Sequence, residues 1–369
     1  MGGKPKYKII QTTDAPLWDA YVHAHPHGTL YHLYGWRNVI EKTYGHKTYY
    51  LAAIKERDSQ YSIPSSQLVG LLPLVHLRSL LFGNSLISMP YVDLGGILAD
   101  DEEIEWALLN QAIKLGQDLS TDTIELRHAQ PLSFLSSTKT VDLESSFTLV
   151  TKPHKVRMLL DLPDSPETLM KSFKAKLRSQ IKKPMKEGLF AEVGSDELLK
   201  EFYTVFSKNM RDLGSPVHSE KIMKYVLEEF GDQTRIVLVY KDRQPMACSL
   251  IIGFNEVLEN PWASALREYS RLNPNMLLYW TMLEYACRSG FKIFDFGRSA
   301  PGEGTYKFKG QWGARPGALH WHYILLNGRR TDNGMSEASR FSSFINYWKK
   351  LPVPITKLMG PMIRKHIGL

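Results

Sequence analysis

Between Phe291 and Tyr323 the chain gathers cations, glycines and aromatic rings: FKIFDFGRSAPGEGTYKFKGQWGARPGALHWHY. Arg298, Lys307 and Lys309 stand among Gly297, Gly302, Gly304, Gly310 and Gly313, with Tyr306, Phe308 and Trp312 between them. Glycine lets backbone approach a ligand closely, and cations fixed among rigid rings suit an anion or a developing oxyanion. A twisted hairpin with solvated cations and core aromatics would use the same residue types. Asp295, Glu303 and His320 are of the right type for a general base. Apolar alternation predicts a strand over 292–296 and another over 319–326, with a glycine-rich loop between them.

A second concentration of charge is Lys171, Lys174, Lys176, Arg178, Lys182, Lys183 and Lys186, in a stretch without an acid. Phe173, Leu177 and Ile181 recur every fourth residue there. The spacing predicts an amphipathic helix with a cationic outer face, bent or ended by Pro184. A solvated lysine face and a phosphate-binding face both fit, because acids normally intersperse on a merely soluble surface. No aromatic stacking platform or nucleic-acid motif accompanies the cluster.

The elements that must position these residues follow from periodicity. Two short helices over 17–45 are joined by HPHGT and end at Gly45. Strands over 47–54 and 67–78 pair as an antiparallel hairpin. A glycine-punctuated apolar stretch over 80–97 precedes a helix over 102–119, which Asp100 or Asp101 can cap. A strand over 123–128 completes the first half, and residues 129–155 read as polar and irregular. The second half opens on a strand over 155–162. After the basic helix come helices near 196–212 and 218–230, a hairpin of 235–240 with 246–254, and a strand over 262–269. The next helix has Asn273 at its cap, Pro274 at its first position and Gly290 just past its end. Leu277, Trp280, Leu283 and Cys287 form its inner stripe.

FDFGRS followed by GTYKFKGQWGA resembles the C-terminal signature of the Fem-type aminoacyltransferases and the wider GNAT acyltransferase superfamily. More narrowly, it is similar to FemAB-like proteins associated with exopolysaccharide and PEP-CTERM sorting loci. The similarity extends through KSFKAKLRSQIKKPMKEGL (171–189), NMRDLGSPV (209–217), WASALREYSRLNPNMLLYW (262–280) and SMPYVDLGGILAD (88–100).

The resemblance implies an α/β (α+β) chain of two tandem GNAT-like domains, with mixed sheets flanked by helices. The division is 1–150, 151–330 and a basic amphipathic tail over 331–369. The implied reaction is acyl or aminoacyl transfer to an amine of a cell-envelope or exopolysaccharide precursor. No tightly bound cofactor is expected; the acyl donor, aminoacyl-tRNA or acyl-CoA, is a co-substrate, and the acceptor is a sugar or peptide amine. Rival readings are an acyl-CoA-dependent N-acyltransferase acting on a small amine or sugar, and a degenerate transferase that binds polysaccharide or a partner.

By resemblance, Phe308-Lys309 before Trp312-Gly313 matches the Phe-Lys pair of Fem-type enzymes. Lys309 would then stabilise the charge that forms as an amine attacks the activated carbonyl, and Arg298 would hold a phosphate or carboxylate. Tyr306, Lys307, Phe308, Trp312, Asn275, Lys174 and Arg178 are the expected substrate-binding set. In a GNAT enzyme the pyrophosphate of acyl-CoA sits at the strand-to-helix junction, on backbone N–H groups and the helix dipole. Here RLNPN replaces the usual glycine-rich turn, and Pro274 removes one donor. Arg37 and Lys42 merely lie near the position of the family's nucleotide-contacting lysine.

Composition narrows the setting. The 369 residues suffice for two ordinary domains, and 43% hydrophobic with 23% charged residues is globular. Lysine plus arginine number 46 against 38 acids, a formal net charge of +8, which favours anionic partners. Cys248 and Cys287, in apolar surroundings, could pair with each other, but they read better as two buried thiols of a reducing cytoplasm. No cysteine or histidine spacing suggests a metal site, and no run approaches the ~20 apolar residues of a membrane span. The expected location is the cytoplasm or the inner face of the membrane. Residues 341–369 mix aromatic and aliphatic side chains with lysines, which fits packing on the first domain or a peripheral membrane contact.

Overall fold

The computed structural model describes residues 7–55, 67–79, 82–136, 147–152, 155–326 and 342–368. Its contacts divide into two compact units. One comprises Met1–His154, Ala318–Asn333 and His366–Leu369; the other comprises Lys155–Gly317 and Gly334–Lys365.

The first unit carries strands β1 (Tyr7–Gln11), β2 (Lys47–Lys55), β3 (Gln67–Ser79), β4 (Gly83–Ile87), β5 (Leu98–Ala99), β6 (Thr123–His128) and β7 (Phe147–Lys152). With the strand His320–Leu326 they form one sheet, in which His320–Leu326 lies between β6 and β7. Strands β4 and β6 run parallel, a pairing that needs a crossover. Helices α1 (Ala15–Ala24), α2 (Gly35–Tyr44), α3 (Glu102–Asp118) and α4 (Ser133–Ser136) accompany the sheet. Gly45 ends α2 in the left-handed region at φ 71°, and Asp101 caps α3 by accepting from the N–H of Ile104. Ile104, Leu108 and Ala112 turn their face onto Leu72, Ile124 and Ile324, which closes the core.

The second unit has strands β8 (Val156–Asp161), β9 (Phe190–Gly194), β10 (Thr234–Lys241), β11 (Gln244–Phe254), β12 (Val257–Ala265), β13 (Ile293–Ser299) and β14 (Arg315–Ala318). Their order is β14-β8-β13-β12-β11-β10-β9. Helices α5 (Pro166–Ser172), α6 (Ala175–Lys186), α7 (Leu199–Leu213), α8 (Glu220–Phe230), α9 (Pro274–Arg288), α10 (Gly304–Gly310), α11 (Ser342–Trp348) and α12 (Val353–Arg364) complete it. Helix α9 is apolar almost all round: Met276, Leu278, Tyr279, Met282, Leu283 and Ala286 are all buried. It joins β12 to β13, the sheet's parallel pair. Cys248 and Cys287 are buried free thiols.

The structure departs from the sequence expectations in several places. Residues 129–155, read as irregular, carry α4 and the strand β7, which is held in the sheet by pairing with His320–Leu326. The stretch after β13 is not simply a loop, since Gly304–Gly310 forms α10. Strand His320–Leu326 does not pair with β13; it joins β6 and β7, so the division near 330 fails for residues 318–326. The basic segment is two helices, because Phe173 is extended at ψ 147° and breaks α5 from α6. Pro184 lies inside α6 and does not end it. The tail helices α11 and α12 belong to the second unit, where α12 packs on α7, whereas the end of the tail joins the first unit, the Gly368 carbonyl accepting from the Tyr91 N–H at 2.7 Å and from Arg127 Nη2 at 3.0 Å. Residues 327–341 of the expected tail and linker lie outside the described residues.

Candidate functional site

The site begins where β12 and β13 part. Their parallel register runs Val257 to Ile293, Leu258 to Phe294 and Glu259 to Asp295, and then stops. On one side β12 bulges at Asn260 and Pro261, which breaks its register with β11 between Leu250 and Ile252. On the other side β13 bulges at Phe296 and Gly297, between the pairings of Asp295 and Arg298 with β8. Gly297 takes φ 75°, where a side chain is strained, and a Cβ there would lie 3.3 Å from the Asn260 carbonyl. The two bulges therefore face each other at close range.

A buried ion network fixes this opening. Arg157 on β8 reaches Asp295 with Nη2 at 2.7 Å and Glu259 at 3.4 Å, and both carboxylates are nearly inaccessible. Asp295 Oδ1 accepts the Gly297 N–H at 2.7 Å, and Oδ2 accepts Arg157 Nε at 2.8 Å. Both oxygens of Asp295 are occupied structurally, which removes it as the general base expected from its type. Glu303 is exposed at the start of α10, and His320 lies in a strand of the first unit.

Lys309 is the buried cation of α10. Its Nζ donates to the carbonyls of Gly297 at 3.0 Å and Arg298 at 2.8 Å. The helix explains why two lysines two residues apart differ: Lys307 faces solvent while Lys309 turns onto β13. Tyr306 and Phe308 are partly buried against the core, and Trp312 is fully buried among Phe173, Tyr279 and Phe308. Trp312 Nε1 has no hydrogen-bond partner among the described residues. Burial pushes the Tyr279 hydroxyl up to about 12.

Two clefts border α6, α9 and α10. The larger, ≈ 800 Å³, is lined by Leu160, Ser172, Lys174, Lys176, Gln180, Gln311 and Trp312, among others. The smaller, ≈ 390 Å³, lies at the start of α9, lined by Leu266, Asn273, Asn275, Met276, Phe308, Gln180 and Gln311. Gln180 and Gln311 belong to both, so the clefts adjoin. Asn273 is left-handed at φ 55° and Pro274 opens the helix. Of the first N–H groups at this end, proline lacks one and that of Met276 donates to the Asn273 carbonyl at 3.0 Å, which leaves the Asn275 end of the helix bordering the smaller cleft.

Most of the expected residues thus gather in one unit, with different tasks. Lys174, Asn275, Phe308 and Trp312 line a cleft, whereas Lys309 lines neither and turns to the end of β13. Arg178 is turned inward: Nη1 donates to the Phe173 carbonyl at 2.6 Å and closes the break before α6. Lys183 ties α6 to the approach to α9 through the Arg271 carbonyl at 3.0 Å. Sequence reasoning missed Arg157, Glu259 and Asn260. Their one signal was a lone charged or amide residue inside an apolar strand. Among the described residues, no group of three or more histidine, cysteine, aspartate or glutamate side chains is placed to hold a metal ion.

This is the fold of tandem GNAT-like domains, two mixed sheets flanked by helices. Residues 171–310 match the family described as acetyltransferase (GNAT) domain. The chain is similar in structure to FemX, with a TM-score of 0.65 at 16% identity over 87% of this chain and 98% of that one. It is also similar to a conserved protein of unknown function from Bacteroides thetaiotaomicron, with a TM-score of 0.54, 11% identity, and 86% and 99% of the chains covered. A third similar structure is the C-terminal domain of a putative lysylphosphatidylglycerol synthetase from Agrobacterium fabrum. There the TM-score is 0.50 and identity 13%, over 70% of this chain and 81% of that one. No curated protein matches the chain by sequence.

Proposed function

We propose that the chain is an N-acyltransferase that moves an aminoacyl or other acyl group from an activated ester to an amine of a cell-envelope or exopolysaccharide precursor. The observation that carries this reading is the pair of adjoining clefts, one at the start of α9 and one beside Lys174 and Lys176. A donor with a phosphate-bearing arm and an activated acyl end suits them, because helix N–H groups and lysines attract the phosphate. The amine nitrogen attacks the ester carbonyl, the oxyanion collapses, and the ester oxygen leaves with the proton that the amine gives up. The ester already stores the driving force, so orientation and charge stabilisation are what the protein must supply. Lys309 is assigned the charge-stabilising role, supported by the rigid hold on its ammonium. Free, buried Cys248 and Cys287 support a reducing cytoplasm as the setting.

A second reading, an acyl-CoA donor, is favoured by the acetyltransferase match over 171–310. The proline at the start of α9 weighs against it, since it removes one pyrophosphate donor. Calorimetry and thermal shift with coenzyme A, acetyl-CoA and aminoacyl-tRNA, repeated on Asn275→Asp, separate the two. A carboxylate at the helix start repels a phosphate held there. Binding of charged tRNA that weakens in the variant supports the proposal, and binding of the CoA ester alone replaces it with the second reading. Silence from all three ligands returns the chain to a binding module.

A further inference from the structure

Helix α12 is docked on its own unit yet leaves a whole apolar face uncovered. Thr356 and Gly360 turn inward, and a Cβ at Gly360 would come within 2.9 Å of Val217. Arg364 Nε donates to His218 Nε2 at 3.0 Å, and the Lys357 ammonium sits 4.8 Å over the Tyr203 ring. On the opposite side Ile355, Leu358, Met359 and Met362 share one stripe, with exposures of 42, 73, 43 and 65%. Residues at i, i+3, i+4 and i+7 make that stripe continuous. In α11, Tyr347 adds a ring that is 74% exposed. Surface apolar residues scattered singly need no explanation, but a continuous stripe of them does.

The charge around the stripe identifies what covers it. From Ser342 to Gly368 the chain has no acid, while it carries Lys349, Lys350, Lys357, Arg364 and Lys365. In a two-fold pairing of identical copies each patch meets itself, and this one would set like charges together. An anionic bilayer instead offers hydrocarbon for the stripe and phosphates for the lysines. Twelve helical residues extend only about 18 Å, so α12 can lie in the interface but cannot span it.

We propose that α12 is an interfacial membrane anchor. Leu358 and Met362 enter the boundary between headgroups and acyl chains, and Lys349, Lys350 and Lys365 meet lipid phosphates. The inference stands whatever group the clefts accept, and it would bring the chain to a surface that carries envelope precursors.

The test is flotation of the full chain with phosphatidylcholine vesicles, with and without phosphatidylglycerol. Wild type is expected to float with the anionic vesicles, and less as salt rises. The double variant Leu358→Glu/Met362→Glu is expected to lower partition about a hundredfold or more. Its melting temperature should hold, because both side chains are exposed. Lys349→Gln and Lys350→Gln should each lower partition about fivefold. A full chain that stays off both vesicle types overturns the proposal, as does a double variant that floats like wild type. So does a vesicle-independent dimer that the double variant dissociates.

Discussion

Lys309 Nζ lies 2.8 Å from the Arg298 carbonyl, so the buried cation of α10 is clamped to the strand end beside which the sheet opens. The clamp continues inward: the same ammonium holds the Gly297 carbonyl, and the Gly297 N–H is held by Asp295. Arg157 then holds Asp295. One line of charge and backbone thus runs from β8 to α10.

Replacing Lys309 by methionine removes the cation and leaves two carbonyls to find new partners. A loss of about 1–3 kcal/mol in urea unfolding is expected, with acyl transfer falling about a hundredfold or more at full folding. If transfer falls only in proportion to the folded fraction, Lys309 is purely a clamp.

Arg157→Met strands two buried carboxylates, Asp295 and Glu259, without their cation. The expected cost is about 3–5 kcal/mol, measured by chemical denaturation at pH 7. Adding Asp295→Asn and Glu259→Gln to the variant should recover part of it.

Gly297→Ala forces a side chain into the left-handed region and against the Asn260 carbonyl. A destabilisation of about 1–2 kcal/mol is expected from the backbone alone. Calorimetric melting reads it, and the loss in transfer rate should exceed it because the bulge must shift.

The first unit should soften in mild acid. Burial holds three of its histidines neutral, with His32 lowered to about 3, His322 to about 4 and His128 also lowered. The unfolded chain binds protons near 6.5 that the folded unit refuses. Stability is therefore fully present above about 6.5 and lost as pH falls from there towards 4. Each histidine contributes about 1.4 kcal/mol per pH unit in that window. Melting curves at pH 7 and pH 5 should show the drop, and His322→Asn should flatten it.

Local chemistry wrote much of this molecule into the sequence. Asp101 before Glu102, Asn273-Pro274 and Gly45 set helix ends because capping and φ are decided by neighbours in the chain. Apolar spacing announced α3 and α9, and the motif from 297 to 313 drew attention to Lys309. What the sequence could not decide was partnership at a distance. Arg157 meets Asp295 across 138 positions, and strand His320–Leu326 leaves β13 for the first sheet. Alternation defines a strand's faces but not its neighbours. Whether Lys309 turned to water, to a ligand or to β13 depended on the helical phase of α10, and the glycines there read as a loop. Only packing set that phase, by burying Trp312 on the inner side of the same turn.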